Sequence, residues 1–244
     1  MALPETLPIA SFADLLRVST ATFMQEWQQQ RSATGGGETR YADRAPSLWK
    51  AELTTPPMDH AEAEGLMALA NSRAGGLKTF LLYNPKLPFP SSDPEGAILS
   101  GSASPYLQTY LPWSDDLPWN DSMPWGGLGA FEPKLGAITD RLHVAFTGLP
   151  PGYMLPLGTY FSIMFDTSRF YLGQFAEART ADGSGAVTSV EIWPPLPASV
   201  TGTPDVEFAK PHGKFRLVPG SAYPSTISTV HSTFKFSAEQ TYSP

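Results

Sequence analysis

The sequence predicts a mainly β protein with one short α-helix, built from short strands joined by tight corners. Three observations carry this. The 244 residues include 21 glycines and 25 prolines, above the roughly 12% of ordinary globular chains and below the roughly 25–30% of low-complexity ones. Aromatic residues make up 12% and charged residues only 16%, the reverse of a disordered chain, which is rich in charge and poor in rings. Apolar and polar residues alternate in short runs, at spacings of roughly eight to twelve residues in the second half, as in a small barrel or sandwich.

The elements follow in order. Arg17–Phe23 alternates Val18, Thr20 and Thr22 against Ser19, Ala21 and Phe23, the pattern of a half-buried strand. The polar run from Gln28 to Gly37 breaks this periodicity, and Gly35, Gly36 and Gly37 mark a mobile loop. Ser47–Leu53 places Trp49, Ala51 and Leu53 on one face with Lys50 and Glu52 on the other, a second strand with one wet side. Pro56-Pro57 ends it, and Asp59 with Glu62 three residues later forms a capping-box pattern. Ala63, Leu66, Met67, Ala70 and Ala74 then recur at helical spacing until Gly75-Gly76. Lys78–Tyr83 reads as an apolar strand closed by Asn84-Pro85.

From about residue 85 to 133 the composition shifts to Pro, Ser, Gly, Asp and Trp. Strand patterns resume at Leu142–Phe146, Thr159–Phe165 and Arg169–Phe175. Asp182-Gly183 is a hairpin-turn signal before Ala186–Trp193, which Pro194-Pro195 and Pro197 terminate. Val206–Phe208 and Lys214–Val218 are shorter candidates, with His212 in the turn between them. The last segment sets Val230, Ser232, Phe234 and Phe236 against Thr229, His231, Thr233 and Lys235, a long strand with one apolar face.

The global numbers exclude several classes. A net charge of −7 and a pI near 5.1 argue against a dedicated nucleic-acid binder, which needs clustered Lys and Arg. No window reaches the roughly 20 apolar residues of a membrane span, and the start lacks the basic region of a signal peptide. The absence of cysteine removes disulfides, thiolate nucleophiles and Cys-based metal sites, and fits assembly in a reducing cytoplasm.

No nucleophile elbow, phosphate loop or paired-histidine zinc motif is present, and Gly126-Gly-Leu-Gly129 lacks dinucleotide-binding spacing. His60 and Glu64 stand four apart on the predicted helix, but Asp59, Glu62 and Glu64 there have an ordinary role at the positive end of the helix dipole. His143 and His231 have no neighbouring relay partner in sequence, and His212 follows Pro211 in a turn. Asp115, Asp116 and Asp121 lack the spacing of a calcium loop. The expectation is no catalytic residue, no metal and no cofactor.

The most unusual feature is a six-residue repeat, Leu111-Pro-Trp113, Leu117-Pro-Trp119 and Met123-Pro-Trp125. Three copies at that period are too short for a solenoid, so an ordered loop spanning 105–133 is expected. Trp113, Trp119 and Trp125 suit three roles: a platform stacking on sugar rings, a protein-contact loop, or a mini-core that buries its own rings.

Two stretches carry a family resemblance. Trp49-Lys-Ala-Glu-Leu-Thr-Thr-Pro-Pro-Met-Asp-His-Ala-Glu-Ala-Glu64, then Gly75-Gly-Leu-Lys-Thr-Phe-Leu-Leu-Tyr-Asn-Pro85, resemble distal tail proteins of long-tailed bacteriophages and gene transfer agents. Thr147-Gly-Leu-Pro-Pro-Gly152 and Gly213-Lys-Phe-Arg-Leu-Val-Pro-Gly220 look similar too. The resemblance implies a tail-tube-like β-sandwich plus helix, with an inserted small β-barrel or sandwich domain. Mapped here, residues 1–90 and 212–244 form a discontinuous ring-forming domain, and 91–211 form the insertion.

The same resemblance implies a structural virion protein of the tail tip or baseplate. It forms a homo-oligomeric ring, usually a hexamer, that joins the tail tube protein to the hub or tip fibre. DNA passes through the ring without specific binding, and Gly35–Gly37 become a candidate assembly loop. The tryptophan repeat does not map onto the family pattern. A carbohydrate- or receptor-binding module using that loop is the alternative, and a small cell-wall hydrolase is disfavoured by the missing motifs.

Overall fold

A computed structural model describes residues 4–33, 35–100 and 131–243. It is mainly β with a single α-helix among the described residues, so the expected fold class holds. The chain divides into two compact units: Met1–Lys86 with Thr167–Leu172 and His212–Pro244, and Leu87–Asp166 with Gly173–Pro211.

In the first unit, β1 (Thr6–Leu7) and two 3-10 turns at Ile9–Ser11 and Ala13–Leu15 precede β2 (Thr20–Glu26). There follow β3 (Gln29–Ala33), β4 (Thr39–Asp43), β5 (Leu48–Thr54), β6 (Met58–Asp59), α1 (His60–Asn71) and β7 (Thr79–Tyr83). The second unit contributes β8 (Lys134–Ile138), β9 (His143–Thr147), β10 (Met154–Leu155) and β11 (Tyr160–Asp166). After β12 (Arg169–Phe175) come β13 (Arg179–Thr180), β14 (Val187–Trp193) and β15 (Val206–Glu207). The chain then returns to the first unit as β16 (His212–Leu217), β17 (Tyr223–Thr226) and β18 (His231–Gln240).

The main sheet of the first unit runs β1-β7-β16-β18-β5-β2, with β17 and β6 also pairing β18. Trp49, Ala51 and Leu53 are buried as the alternation of β5 requires, because successive strand side chains face opposite sides. Ala51 pairs Ala238 and Leu53 pairs Phe236. Phe12, held by the 3-10 turns, sets its ring tilted against Phe80 at 4.6 Å and edge-on to Phe236 at 5.6 Å. Trp49 donates its indole N–H to the Leu172 carbonyl at 2.7 Å, giving a buried ring the partner its polar edge needs. Ala63 and Ala70 are buried on α1. Arg73, fully buried, donates Nη1 to the Pro4 carbonyl at 2.9 Å and ties the N-terminal segment to the end of the helix.

The second unit holds the sheet β15-β11-β12-β14-β9-β8, of whose β12 only Gly173–Phe175 belong to it, and the pair β10-β13. Its core is a ring cluster: Phe146 lies edge-on to Phe161 at 5.3 Å and to Phe175 at 5.4 Å, while Phe161 stacks on Phe175 at 4.8 Å.

Several expectations are corrected. The polar run after Gln28 forms β3, paired in register with β4. Hydrophobic alternation could not reveal a ribbon whose two faces are both wet. Asp59 occupies the N-cap but makes no side-chain capping bond. The helix start is fixed instead by the pairing of β6 with β18 and by His60, whose ring contacts Ser232 Oγ at 2.7 Å and the Thr229 carbonyl at 3.0 Å. Asp182-Gly183 is not a two-residue hairpin. Asp182 accepts from Ser184 and Ala186, and the left-handed residue is Gly185 at φ +76°. His212 begins a strand and is buried, its ring 4.9 Å from Phe170. Val230 precedes β18 and is exposed, and buried Ser232 takes the next inward position.

Candidate functional site

β2 is the last strand of the first unit's described sheet. β2 pairs β5 over Thr20–Glu26, and no described strand pairs its other edge. From β2 the chain continues through Trp27 and Gln28 into the β3-β4 ribbon.

The ribbon pairs Gln29 with Asp43, Gln30 with Ala42, Arg31 with Tyr41, Ser32 with Arg40 and Ala33 with Thr39. Gln29 donates its side-chain N–H to Asp43 at 2.7 Å, and the Arg44 backbone N–H donates to the Gln28 carbonyl at 2.8 Å, which continues the ladder at the base. Every strand residue is exposed except Thr39, which is half-buried. A two-stranded ribbon with no buried face is marginal in water by itself. Trp27 is 51% and Tyr41 62% exposed, so two large aromatic groups lie accessible at its base and on its length. Within 28–44, Arg31, Arg40 and Arg44 outnumber Glu38 and Asp43, against a chain that carries −7. The ribbon is thus locally cationic on an acidic protein.

Gly35, Gly36 and Gly37 lie between the two strands, Gly37 at φ +82°, and a Cβ at any of the three would meet nothing. The predicted assembly loop is therefore the end of the ribbon. Trp113, Trp119 and Trp125 lie outside the described residues, as do Asp115, Asp116 and Asp121.

The charged groups of the second unit organise turns. Asp140 accepts the backbone N–H of Leu142 and of His143, each at 2.7 Å, and its other oxygen lies 3.0 Å from His143 Nδ1. The Leu142 bond first, then the His143 ring, holds the Asp140 carboxyl below its ordinary range. An aspartate on a histidine Nδ1 also occurs in nucleophilic sites, where a hydroxyl occupies the other ring nitrogen. Among the described residues no hydroxyl bonds His143 there, and the pair serves as a turn cap. Glu177 is lowered by its bond from Arg179 Nε at 3.0 Å, and Asp182 by the Ser184 hydroxyl. No group of three or more His, Asp or Glu able to hold a metal occurs among the described residues.

A cleft of about 50 Å³ is lined by Leu87, Phe89, Ser91, Leu157, Gly158 and Thr159. It has room for a water or two and not for a sugar ring. No described helix is long and apolar enough to cross a membrane.

Sequence reasoning named the glycines but missed the strands beside them. The available signal was the pairing of complementary polar ends, Gln29 with Asp43, around a glycine-rich turn. No protein-family model matches this chain, and no curated protein matches it.

Proposed function

We propose that this chain is a non-enzymatic structural protein of a bacteriophage-type tail tip. Copies of it close into a ring, a hexamer in the resembling family, that joins the tail tube to the hub or tip fibre. The observation that carries the reading is the exposed β3-β4 ribbon, which continues from β2. A marginal ribbon bearing an accessible tyrosine acquires stability when a neighbour covers it, and aromatic anchors of this kind dominate interface energies. Its arginines face an otherwise acidic protein, so a second copy offers complementary charge.

The segments Trp49–Glu64 and Gly75–Pro85 carry the family resemblance that supports this reading, and the low charge content suits repeated subunit contacts, whose centres shed charge. A passage through such a ring, formed by a chain of pI near 5.1, does not grip the DNA phosphates. The protein is assembled in the host cytoplasm and resides in the virion. Immunogold labelling and mass spectrometry of purified particles test this. The expected result is label at the junction of tube and tip, and absence of the chain from particles would overturn it.

A further inference from the structure

The first unit carries a second feature, independent of the ribbon and of any ring. By strand alternation Phe215 and Leu217 of β16 fall on one face and Lys214 and Arg216 on the other, about 7 Å apart along the strand. Lys214 is only 2% exposed, and among the described residues its side chain makes one hydrogen bond, from Nζ to the Ser243 carbonyl at 3.1 Å. An ammonium has three donors, so two remain unused in a buried position. Arg216 is half-buried, and its Nε is buried with no hydrogen-bond partner.

The neighbours across the sheet do not supply the missing acceptor. Thr79 stands opposite Arg216 on β7, but its hydroxyl is engaged 2.7 Å from that of Thr6. Glu239 stands opposite on β18 without forming an ion pair with Arg216. Burial is the main influence on Lys214 and disfavours its charge. Glu5 is the next influence and favours the charge, and Arg216 and then Arg169 disfavour it. Concentrating cations in a partly buried place is costly unless an anion offsets it.

We propose that Lys214 and Arg216 form a binding site for a single oxyanion. The ammonium supplies a compact charge and the guanidinium a planar donor fork, a pairing that suits the oxygens of a phosphoryl or carboxylate group. The narrow exposure of Lys214 restricts the ligand to one small group, either a free ion or a group presented on a docked molecule.

Thermal unfolding of the full chain is followed while inorganic phosphate or acetate replaces chloride at constant ionic strength. The expected result is a saturable rise in Tm. A response selective for phosphate identifies a tetrahedral ion or phosphoryl group, one selective for acetate a carboxylate, and an equal response a site that takes either; each supports the site. R216Q and K214M, checked for native circular dichroism, weaken the apparent affinity at least tenfold, whereas K50Q on β5 leaves it unchanged. The site is refuted if neither anion moves Tm beyond chloride, or if both variants respond as the parent does. Water then satisfies the two cations. The outcome leaves the tail-tip reading untouched, because no residue of the ribbon takes part.

Discussion

Replacing Gln29–Asp43 by Asn-Gly separates assembly from folding. The Arg44 backbone N–H already donates to the Gln28 carbonyl, so a two-residue turn closes the shortened hairpin at a pair the native chain forms, with residue types that such turns favour. The deletion removes two five-residue strands, a reach of about 17 Å at roughly 3.4 Å per residue. None of those ten residues is buried, so stability should change by no more than about 0.5 kcal/mol and Tm by about 2 °C. Association should suffer much more. Losing one aromatic anchor such as Tyr41 costs about 2 kcal/mol or more, which is about 30-fold in dissociation constant. Sedimentation velocity over a concentration series reads the association, and circular dichroism melting reads the fold. The reasoning is refuted by a variant that assembles as the parent does. It is equally refuted if Tm falls by many degrees, which would make the ribbon part of the core.

Three further outcomes follow from the packing and the titratable groups. Phe236→Ala removes a ring that is 1% exposed and touches Phe12, Phe80 and Phe234. It should cost about 3–5 kcal/mol by urea denaturation, and a loss below about 1 kcal/mol would show that the core is assigned wrongly. Gly185→Ala forces a side chain into a left-handed residue whose Cβ would run into the Leu149 carbonyl. A loss of at least about 2 kcal/mol is expected, and a neutral result contradicts the turn. Burial first and the Asp14 bond second raise the Tyr83 phenol to about 12, and burial also raises Tyr153, Tyr171 and Tyr242. Above pH 10 the unfolded phenols ionise while the native ones keep their protons, so stability falls as pH rises. Lys214, lowered by burial, acts oppositely between its depressed value and 10.5, but one amine stands against four phenols. Melting curves from pH 8 to 11 should show the decline, shallower in Tyr83→Phe.

The fold was legible where one face is dry. Trp49, Ala51 and Leu53 announced β5, and Phe234 and Phe236 announced β18, because burial imposes a period of two on the sequence. It was illegible where burial imposes nothing, as in β3 and β4, or where an element is too short for a period, as in β1, β6 and β17. The Asp59–Glu62 spacing suggested a capping box, yet pairing with β18 fixed the helix start; a tertiary contact replaced a local one. Of the candidate site, only Gly35–Gly37 were visible in advance. Lys214 and Arg216 are unremarkable in the run Lys-Phe-Arg-Leu and become a pair only when β7 and β18 enclose them without supplying an acceptor.

The central claim is that this chain builds a closed ring. Native mass together with a low-resolution image of the purified protein tests it most directly, repeated beside the tail tube protein. The account predicts a closed ring of several 26.4 kDa copies, six by the family resemblance, stabilised when the tube partner is added. A chain that stays monomeric across the concentration range and beside that partner contradicts it.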